Sequence, residues 1–199
     1  MSQGTIAERR LRVELSGGLC SVFCLPFSPL MSSPSEIIGI ASAYAGAALG
    51  SHAPCVFRVA GPVAYGLPVV VAALYEAAGC WDGCSFADSV QVYALASLGL
   101  CLTELPASSC WLVVTEPAAF TYFYCRDRRV MDVFSERHDV SGVSAVERME
   151  RSIARQFHRE SLGVFCYDEF DVLMNEPRQN LTYLAASGEL ATPFLKGGE

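Results

Sequence analysis

Hydrophobic and polar positions along the chain follow two different periods, which predicts a mixture of strands and helices. Short apolar runs bounded by proline, glycine or charged turns predict strands. Longer stretches with apolar residues three and four positions apart predict helices. The predicted strands cover residues 19–27, 55–60, 67–75, 110–115, 120–125, 130–134 and 164–167, with a last short element at 181–186. The predicted helices cover residues 36–49, 86–100 and 144–160.

The order of these elements predicts the fold class. Three strands follow one another closely between residues 110 and 134, separated only by short polar turns, which is typical of an antiparallel meander. Helices precede and follow this meander, so we expect an α+β fold with a mixed, mostly antiparallel sheet and several packed helices. A chain of 199 residues can form one sizeable core. We therefore expect a single domain over residues 1–195 and a disordered tail at 196–199.

The predicted helix at 144–160 has one apolar side and one charged side. Ser144 and Glu147 have the spacing of a capping box at its start. Arginines on the charged side could bind phosphate or an acidic partner protein, and they are Arg148, Arg151, Arg155 and Arg159. Glutamates are interleaved with them, and Glu147 and Arg151 have the i,i+4 spacing of an ion pair. A solvent-exposed face that neutralises its own charge therefore explains the same pattern.

The charge of the chain limits the classes of partner. A formal net charge of −7 argues against binding to nucleic acid and to anionic membrane surfaces. Between Val13 and Cys125 the only basic residue is Arg58, so this region is expected to be buried in itself, in a partner or in lipid. Its uncharged segments are poor in large apolar residues, which argues against membrane spans. A membrane-embedded protein built from residues 37–105 stays an alternative, and a buried interface with a second copy is compatible with the pattern.

The cysteines predict a reducing, intracellular compartment, either cytoplasm or nucleus. Nine cysteines are an odd number, and several of them lie inside apolar runs, where a reduced cysteine acts as a small hydrophobic residue. Cys80 and Cys84 have a spacing that metal ligands can use, but no second pair of ligands or histidine follows closely. We therefore expect neither a metal nor a cofactor.

The sequence contains no motif that identifies an enzyme. The glycine-rich phosphate-binding patterns, the serine-nucleophile pattern and the helical zinc-protease pattern are all absent. Three histidines, His52, His138 and His158, could in principle approach a cysteine, so a cysteine-dependent enzyme is an alternative hypothesis. The pattern as a whole favours a non-enzymatic protein that binds other proteins.

The segment from Val164 to Glu169 resembles the L-x-C-x-E motif by which viral proteins bind retinoblastoma-type pocket proteins. Val164 stands in the place of the leucine, Asp168 occupies the position of the glutamate, and Glu169 follows one position later. This resemblance makes Cys166, Asp168 and Glu169 candidates for contact with a partner. A buried strand explains the same apolar run.

Three stretches of the chain share an apolar run, a turn and an alternating segment. They cover residues 67–100, 110–134 and 162–186; the first contains YALASLG at 93–99, and the last contains both GVFCYD at 163–168 and YLAASGE at 183–189. This pattern resembles the SUKH superfamily, which includes bacterial toxin-immunity proteins and a herpesvirus-type tegument protein family of large DNA viruses. The resemblance implies a viral accessory protein of α+β fold that acts inside a host cell, where it binds and neutralises a host protein without catalysis.

Overall fold

The computed structural model describes residues 12–31, 33–48, 55–60, 66–75, 89–137, 144–156, 162–170, 172–173, 181–184 and 190–191. Within these residues the helices are α1 (Pro34–Ala48), α2 (Tyr93–Cys101) and α3 (Ala145–Gln156), and a short 3₁₀ turn covers Gly17–Leu19. The strands are β1 (Arg12–Leu15), β2 (Cys20–Leu25), β3 (Cys55–Ala60), β4 (Val69–Tyr75), β5 (Ser89–Val92), β6 (Cys110–Glu116), β7 (Ala119–Arg126), β8 (Arg129–Arg137), β9 (Gly163–Tyr167), β10 (Leu181–Leu184) and β11 (Leu190–Ala191).

The strands form one large sheet, one small sheet and a separate pair. The large sheet has the order β11-β10-β9-β6-β7-β8, and the small sheet is antiparallel with the order β2-β4-β3. The pair consists of β1 and β5, which run parallel. This arrangement confirms the predicted α+β class, and the antiparallel register of β6, β7 and β8 confirms the predicted meander.

Strand β6 is the point at which the order of the large sheet changes direction. It pairs antiparallel with β7 on one side and parallel with β9 on the other. The chain therefore leaves β6 towards β7 and β8, passes through α3, and returns to the opposite side of β6. The carboxyl ends of β6 and β9 lie side by side at one edge of the sheet, which is the topological switch point of this fold.

The central strands of both sheets, β4, β6 and β7, are buried on both faces. One face of each sheet joins α2 in a central cluster that includes Val70, Leu112 and Phe123. Helix α1 covers the other face of the small sheet, and α3 covers the other face of the large sheet, where Met149 packs in a cluster with Trp111. Burial on two faces explains why β4, β6 and β7 are continuous apolar runs without alternation.

The predicted helix at 86–100 begins later than expected. Residues Ser89–Val92 form strand β5, and α2 starts only at Tyr93. The two valines in β5 favour an extended backbone, and pairing with β1 across the chain decides the conformation. Residues 86–88 and 157–160 of the predicted helices lie outside the described residues, and so does the predicted tail at 196–199. The single domain over residues 1–195 stays a prediction. Among the helices of the described ranges, none is long and apolar enough to cross a membrane.

Candidate functional site

The switch point gathers polar side chains that lie far apart in the sequence. Thr115 and Glu116 come from the carboxyl end of β6, and Asp168 follows the last residue of β9. Ligands of open α/β sheets bind outside the carboxyl ends of the strands at such a point. This edge is therefore the first place to examine for chemistry.

Both carboxylate oxygens of Asp168 accept hydrogen bonds from the chain around it. Its Oδ1 accepts hydrogen bonds from the Thr115 hydroxyl at 2.5 Å and from the Val172 backbone N–H at 2.9 Å. Its Oδ2 accepts from the backbone N–H of Leu173 at 2.7 Å. A carboxylate that receives three donors holds the segment after β9 against the end of β6.

Glu116 is the second carboxylate of this edge, and it is only 2% exposed. Its two oxygens lie 3.0 and 3.1 Å from the backbone nitrogen of Gly17, whose N–H they accept. Burial raises the pKa of the Glu116 carboxyl, while the hydrogen bonds from Gly17 and Ser16 partly oppose this rise. Glu116 therefore fixes the 3₁₀ turn against the β6–β7 hairpin.

The raised pKa of Glu116 predicts a pH-dependent contribution to stability. Because the folded state binds this proton more tightly than the unfolded state does, the contribution is fully present below the ordinary pKa of 4.5 and is lost as the pH rises through the folded pKa. Glu116→Gln removes the titration, so the free energy of unfolding of this variant should increase relative to that of the wild type as the pH rises from 4.5 through the folded pKa. Urea denaturation at a series of pH values measures the difference, and parallel stability curves would contradict the prediction.

Glu169 is the third acidic residue of this edge, and two tyrosines contact it. Its Oε2 accepts hydrogen bonds from the Tyr93 hydroxyl at 2.6 Å and from the Tyr167 hydroxyl at 3.4 Å. Burial and the neighbouring Glu169 carboxylate both raise the pKa of these two tyrosines. The ring of Phe170 is 49% exposed and lies 5.2 Å from the ring of Tyr93. These contacts hold the start of α2 to the residues that follow β9.

The three carboxylates of the edge therefore make internal hydrogen bonds. Each accepts from a backbone N–H or a hydroxyl of the chain, as the geometry above shows. Within the residues that the structure describes, no group of three or more histidine, cysteine, aspartate or glutamate side chains could hold a metal ion. In the described conformation, Glu116 and Asp168 hold the 3₁₀ turn and the segment after β9 to β6, and Glu169 holds the start of α2 to the residues after β9.

The sequence predictions missed most of this edge. Thr115, Glu116 and Gly17 were not singled out, and Tyr93 was seen only as a helix residue. One signal was present, since Thr115 and Glu116 end the apolar run Cys110–Val114 and thus mark a strand end. The identity of its partner was not readable, because Gly17 lies 99 residues away in the sequence.

The arginines predicted as a partner-binding face lie on the outer side of α3. Arg151 is 58% exposed and forms the predicted ion pair with Glu147, and Arg155 is exposed beyond it. Arg148 is half-buried, and Arg159 lies outside the described residues. The Ser144 hydroxyl accepts the backbone N–H of Glu147 at 3.3 Å, which confirms the predicted cap.

The interpretation of Val164–Glu169 as an exposed pocket-protein motif is wrong. Strand β9 pairs with β6 on one side and with β10 on the other, so its backbone is not free to bind a partner. Cys166 is completely buried, and its Sγ lies 3.9 Å from the Sδ of Met149. Its side chain does not reach the surface, whereas Asp168 and Glu169 make the internal hydrogen bonds given above.

Burial disfavours the reactive thiolate form of the described cysteines in the folded state. Six cysteines are free there, and burial raises the pKa of Cys20, Cys24, Cys101 and Cys125 to about 12. Burial also raises the pKa of Cys110 and Cys166. A nucleophilic thiol needs a lowered pKa. The remaining cysteines and histidines fall outside the side chains that the structure describes, and they are Cys55, Cys80, Cys84, His52, His138 and His158.

Comparison with known proteins identifies the fold. No protein-family model matches the chain, and no curated protein matches it. A Bacteroides thetaiotaomicron protein described as having an actin-like ATPase fold and unknown function superposes with a TM-score of 0.50 at 10% identity, over 84% of this chain and 64% of that one. This likeness shows the fold alone, which is an actin-like ATPase fold.

Two further structures superpose on the chain with lower TM-scores. The cytoplasmic domain of EpsL, an inner membrane component of the type II secretion system of Vibrio cholerae, has a TM-score of 0.47 at 12% identity, over 80% of this chain and 62% of that one. A PilM–PilN type IV pilus biogenesis complex has a TM-score of 0.43 at 19% identity, over 76% of this chain and 48% of that one. The chain thus spans less than two thirds of the length of each of these structures.

The actin-like fold overturns the SUKH and tegument-family resemblance and, with it, the viral accessory protein that neutralises a host protein. Both expectations are wrong, and the structure gives the reason. The three stretches taken as similar form different parts of the fold: β4 with β5 and α2, the antiparallel meander, and the parallel strands β9 and β10. Their common pattern reflects apolar runs and turns, which strands of any fold share.

Proposed function

We propose that this chain is a non-catalytic domain of the actin-like ATPase fold that acts inside the cell as a component of a protein assembly. The observation that carries the proposal is the hydrogen bonding of the switch-point carboxylates. An acid that binds a cation or activates water must direct lone pairs towards the ligand. The oxygens of Asp168 instead accept three donors of the chain, and Glu116 is buried behind the 3₁₀ turn.

An intracellular setting is consistent with the cysteines. The six described thiols are free and mostly buried, which is typical of proteins kept in a reducing compartment. A protein that performs no chemistry works through its contacts, so its exposed charged surfaces become the places to test.

Titration with ATP and magnesium tests the non-catalytic part of the proposal. We expect no saturable heat of binding at millimolar nucleotide and no release of phosphate above the buffer rate. Asp168→Asn serves as the matched variant, because it changes the charge of the switch point and keeps the size of the side chain. Saturable binding by the wild type that Asp168→Asn weakens, or phosphate release that it abolishes, would show that the edge is a nucleotide site.

The partner surface that we propose is the α3 arginine surface, formed by Arg148, Arg151 and Arg155. Positions 148, 151 and 155 follow the i, i+3, i+7 spacing of one helix side, and the apolar side of α3 faces the large sheet. The three arginines of α3 outnumber its two glutamates, Glu147 and Glu150, so the helix carries a small positive excess on a chain of net charge −7. Such a surface is complementary to an acidic segment of another protein.

Charge reversal on α3 provides the corresponding prediction. The double variant Arg151→Glu/Arg155→Glu should recover about tenfold less of its specific partners than the wild type does, because it replaces electrostatic attraction by repulsion. Quantitative affinity purification from the source cells compares it with the wild type and with Arg129→Glu, which changes an exposed arginine at the start of β8. Equal recovery by all three proteins would exclude α3 as the contact surface. If the wild type enriched no protein over bare resin, the proposal that this chain is a component of a protein assembly would be contradicted.

A further inference from the structure

Cys110 and Cys125 lie directly opposite each other in the antiparallel pair of β6 and β7. Both side chains are completely buried and belong to the central cluster, so they are on the same face of the sheet. The Cα atoms of directly opposite residues in an antiparallel pair are about 4.5 or about 5.5 Å apart. Both spacings fall within the range of about 4.4 to about 6.8 Å that a disulfide requires.

We propose that Cys110 and Cys125 form a reversible disulfide when the protein meets an oxidising small-molecule disulfide such as oxidised glutathione. The inference stands independently of the proposed function, because it rests only on the register of two strands and on the position of two side chains.

The surroundings of the pair provide a route for the reaction. The pair lies at the start of β6, next to the exposed residues Ala107 and Ser108, and Cys125 directly precedes the exposed Arg126. Strand ends open locally more readily than strand centres do. The thiols of Cys24 and Cys101 are close enough to influence Cys125 electrostatically, and Cys24 is half-buried. Opening at this end therefore exposes the pair without unfolding the whole sheet.

The reaction proceeds by two thiol–disulfide exchanges. One cysteine thiolate attacks a sulfur of oxidised glutathione, which forms a mixed disulfide and releases one glutathione thiolate. The second cysteine thiolate attacks the protein sulfur of the mixed disulfide and releases the second glutathione thiolate. The two cysteines lose two electrons and two protons, and the two glutathione molecules gain both. Burial raises the pKa of the Cys125 thiol to about 12, so the exchange is slow and limited by local opening.

Peptide mapping of the full chain tests the inference. The chain is incubated with oxidised glutathione at neutral pH, its free thiols are blocked, and it is digested without reductant. We expect a peptide that joins Cys110 to Cys125, its loss after treatment with dithiothreitol, and a Tm higher by about 5 °C or more in the oxidised protein.

Two variants decide the assignment. Cys110→Ala should lose the linked peptide and the rise in Tm, whereas Cys166→Ala should keep both, since Cys166 lies on the other face of the large sheet against Met149. A disulfide that joins other cysteines of the wild type, a product that carries only glutathione adducts, or thiols that stay free over several days would each overturn the proposal. Mapping of the wild type decides this even if a variant folds poorly.

Discussion

Gly17→Ala should lower the free energy of unfolding by about 2 to 3 kcal/mol, because it overpacks a buried junction. A Cβ atom at this position would lie 2.8 Å from Oγ1 of Thr121 and 3.0 Å from Oε1 of Glu116. Neither neighbour can retreat at low cost: Thr121 is completely buried and bonded to Ser135, and Glu116 accepts the N–H of Gly17 itself. The 3₁₀ turn must therefore move away from β6 and β7. Urea denaturation followed by tryptophan fluorescence measures the loss.

Two glycines of α1 provide the matched control for this substitution. A Cβ atom at Gly39 or Gly46 meets nothing within 4 Å, and both positions lie inside a helix. Alanine there should raise the free energy of unfolding by about 0.5 to 1 kcal/mol, since it reduces the backbone entropy of the unfolded chain. If Gly17→Ala were as stable as Gly39→Ala, the contact between the 3₁₀ turn and the β6–β7 hairpin would be looser than the structure shows.

The sequence was most informative where the controlling interactions are local. The meander β6–β7–β8 was predicted because two short turns join three apolar runs. Helix α3 was predicted because Ser144 caps it and its apolar side chains recur at helical spacing. Turn chemistry, capping and periodicity all act over a few residues, so they can be read from a single chain.

The sequence was least informative where partners come from distant parts of the chain. Strand β5 was assigned to a helix because nothing near Ser89–Val92 reveals its pairing with Arg12–Leu15. The parallel neighbours β6 and β9 are separated by two strands and a helix, so the switch point emerges only when the sheet is assembled. Non-local pairing of this kind has no signature in a single sequence.

The candidate site shows the same division. Asp168 and Glu169 are candidates for partner contact by their resemblance to the L-x-C-x-E motif, and in the structure they accept internal hydrogen bonds. Their partners Thr115 and Tyr93 are 53 and 76 residues away. An acidic segment can be solvated, bind a partner or accept internal donors, and only the position of the donors separates these outcomes.

Glu116 and Asp168, the two carboxylates at the carboxyl end of β6, hold two different parts of the chain in place. Glu116 holds the 3₁₀ turn that leads into β2, and Asp168 holds the residues that follow β9. The large sheet and the segment entering the small sheet thus meet at one strand end. Loss of either carboxylate should weaken the contact between parts of the fold that the chain itself joins only through long connections.

Asp168→Ala should be among the most destabilising single substitutions, with a loss of about 3 kcal/mol in the free energy of unfolding. The change removes the acceptor of three hydrogen bonds and leaves the Thr115 hydroxyl and the N–H groups of Val172 and Leu173 without it. Thr115 is completely buried and Leu173 is too, so water cannot replace the lost acceptor there without a rearrangement. The midpoint of urea denaturation should fall accordingly, and amide hydrogen exchange at Leu173 should become faster.

A double-mutant cycle with Thr115→Val separates the direct hydrogen bond from a general loss of packing. Valine keeps the shape of threonine and removes only the hydroxyl, which donates to Asp168 and also lies 3.3 Å from the carbonyl oxygen of Tyr167. The loss in Thr115→Val/Asp168→Ala should be smaller than the sum of the two single losses by about 1 kcal/mol, because both substitutions break the same bond. Additive losses would mean that Thr115 and Asp168 stabilise the fold separately. The carboxyl ends of β6 and β9 would then be held together by their backbone pairing alone.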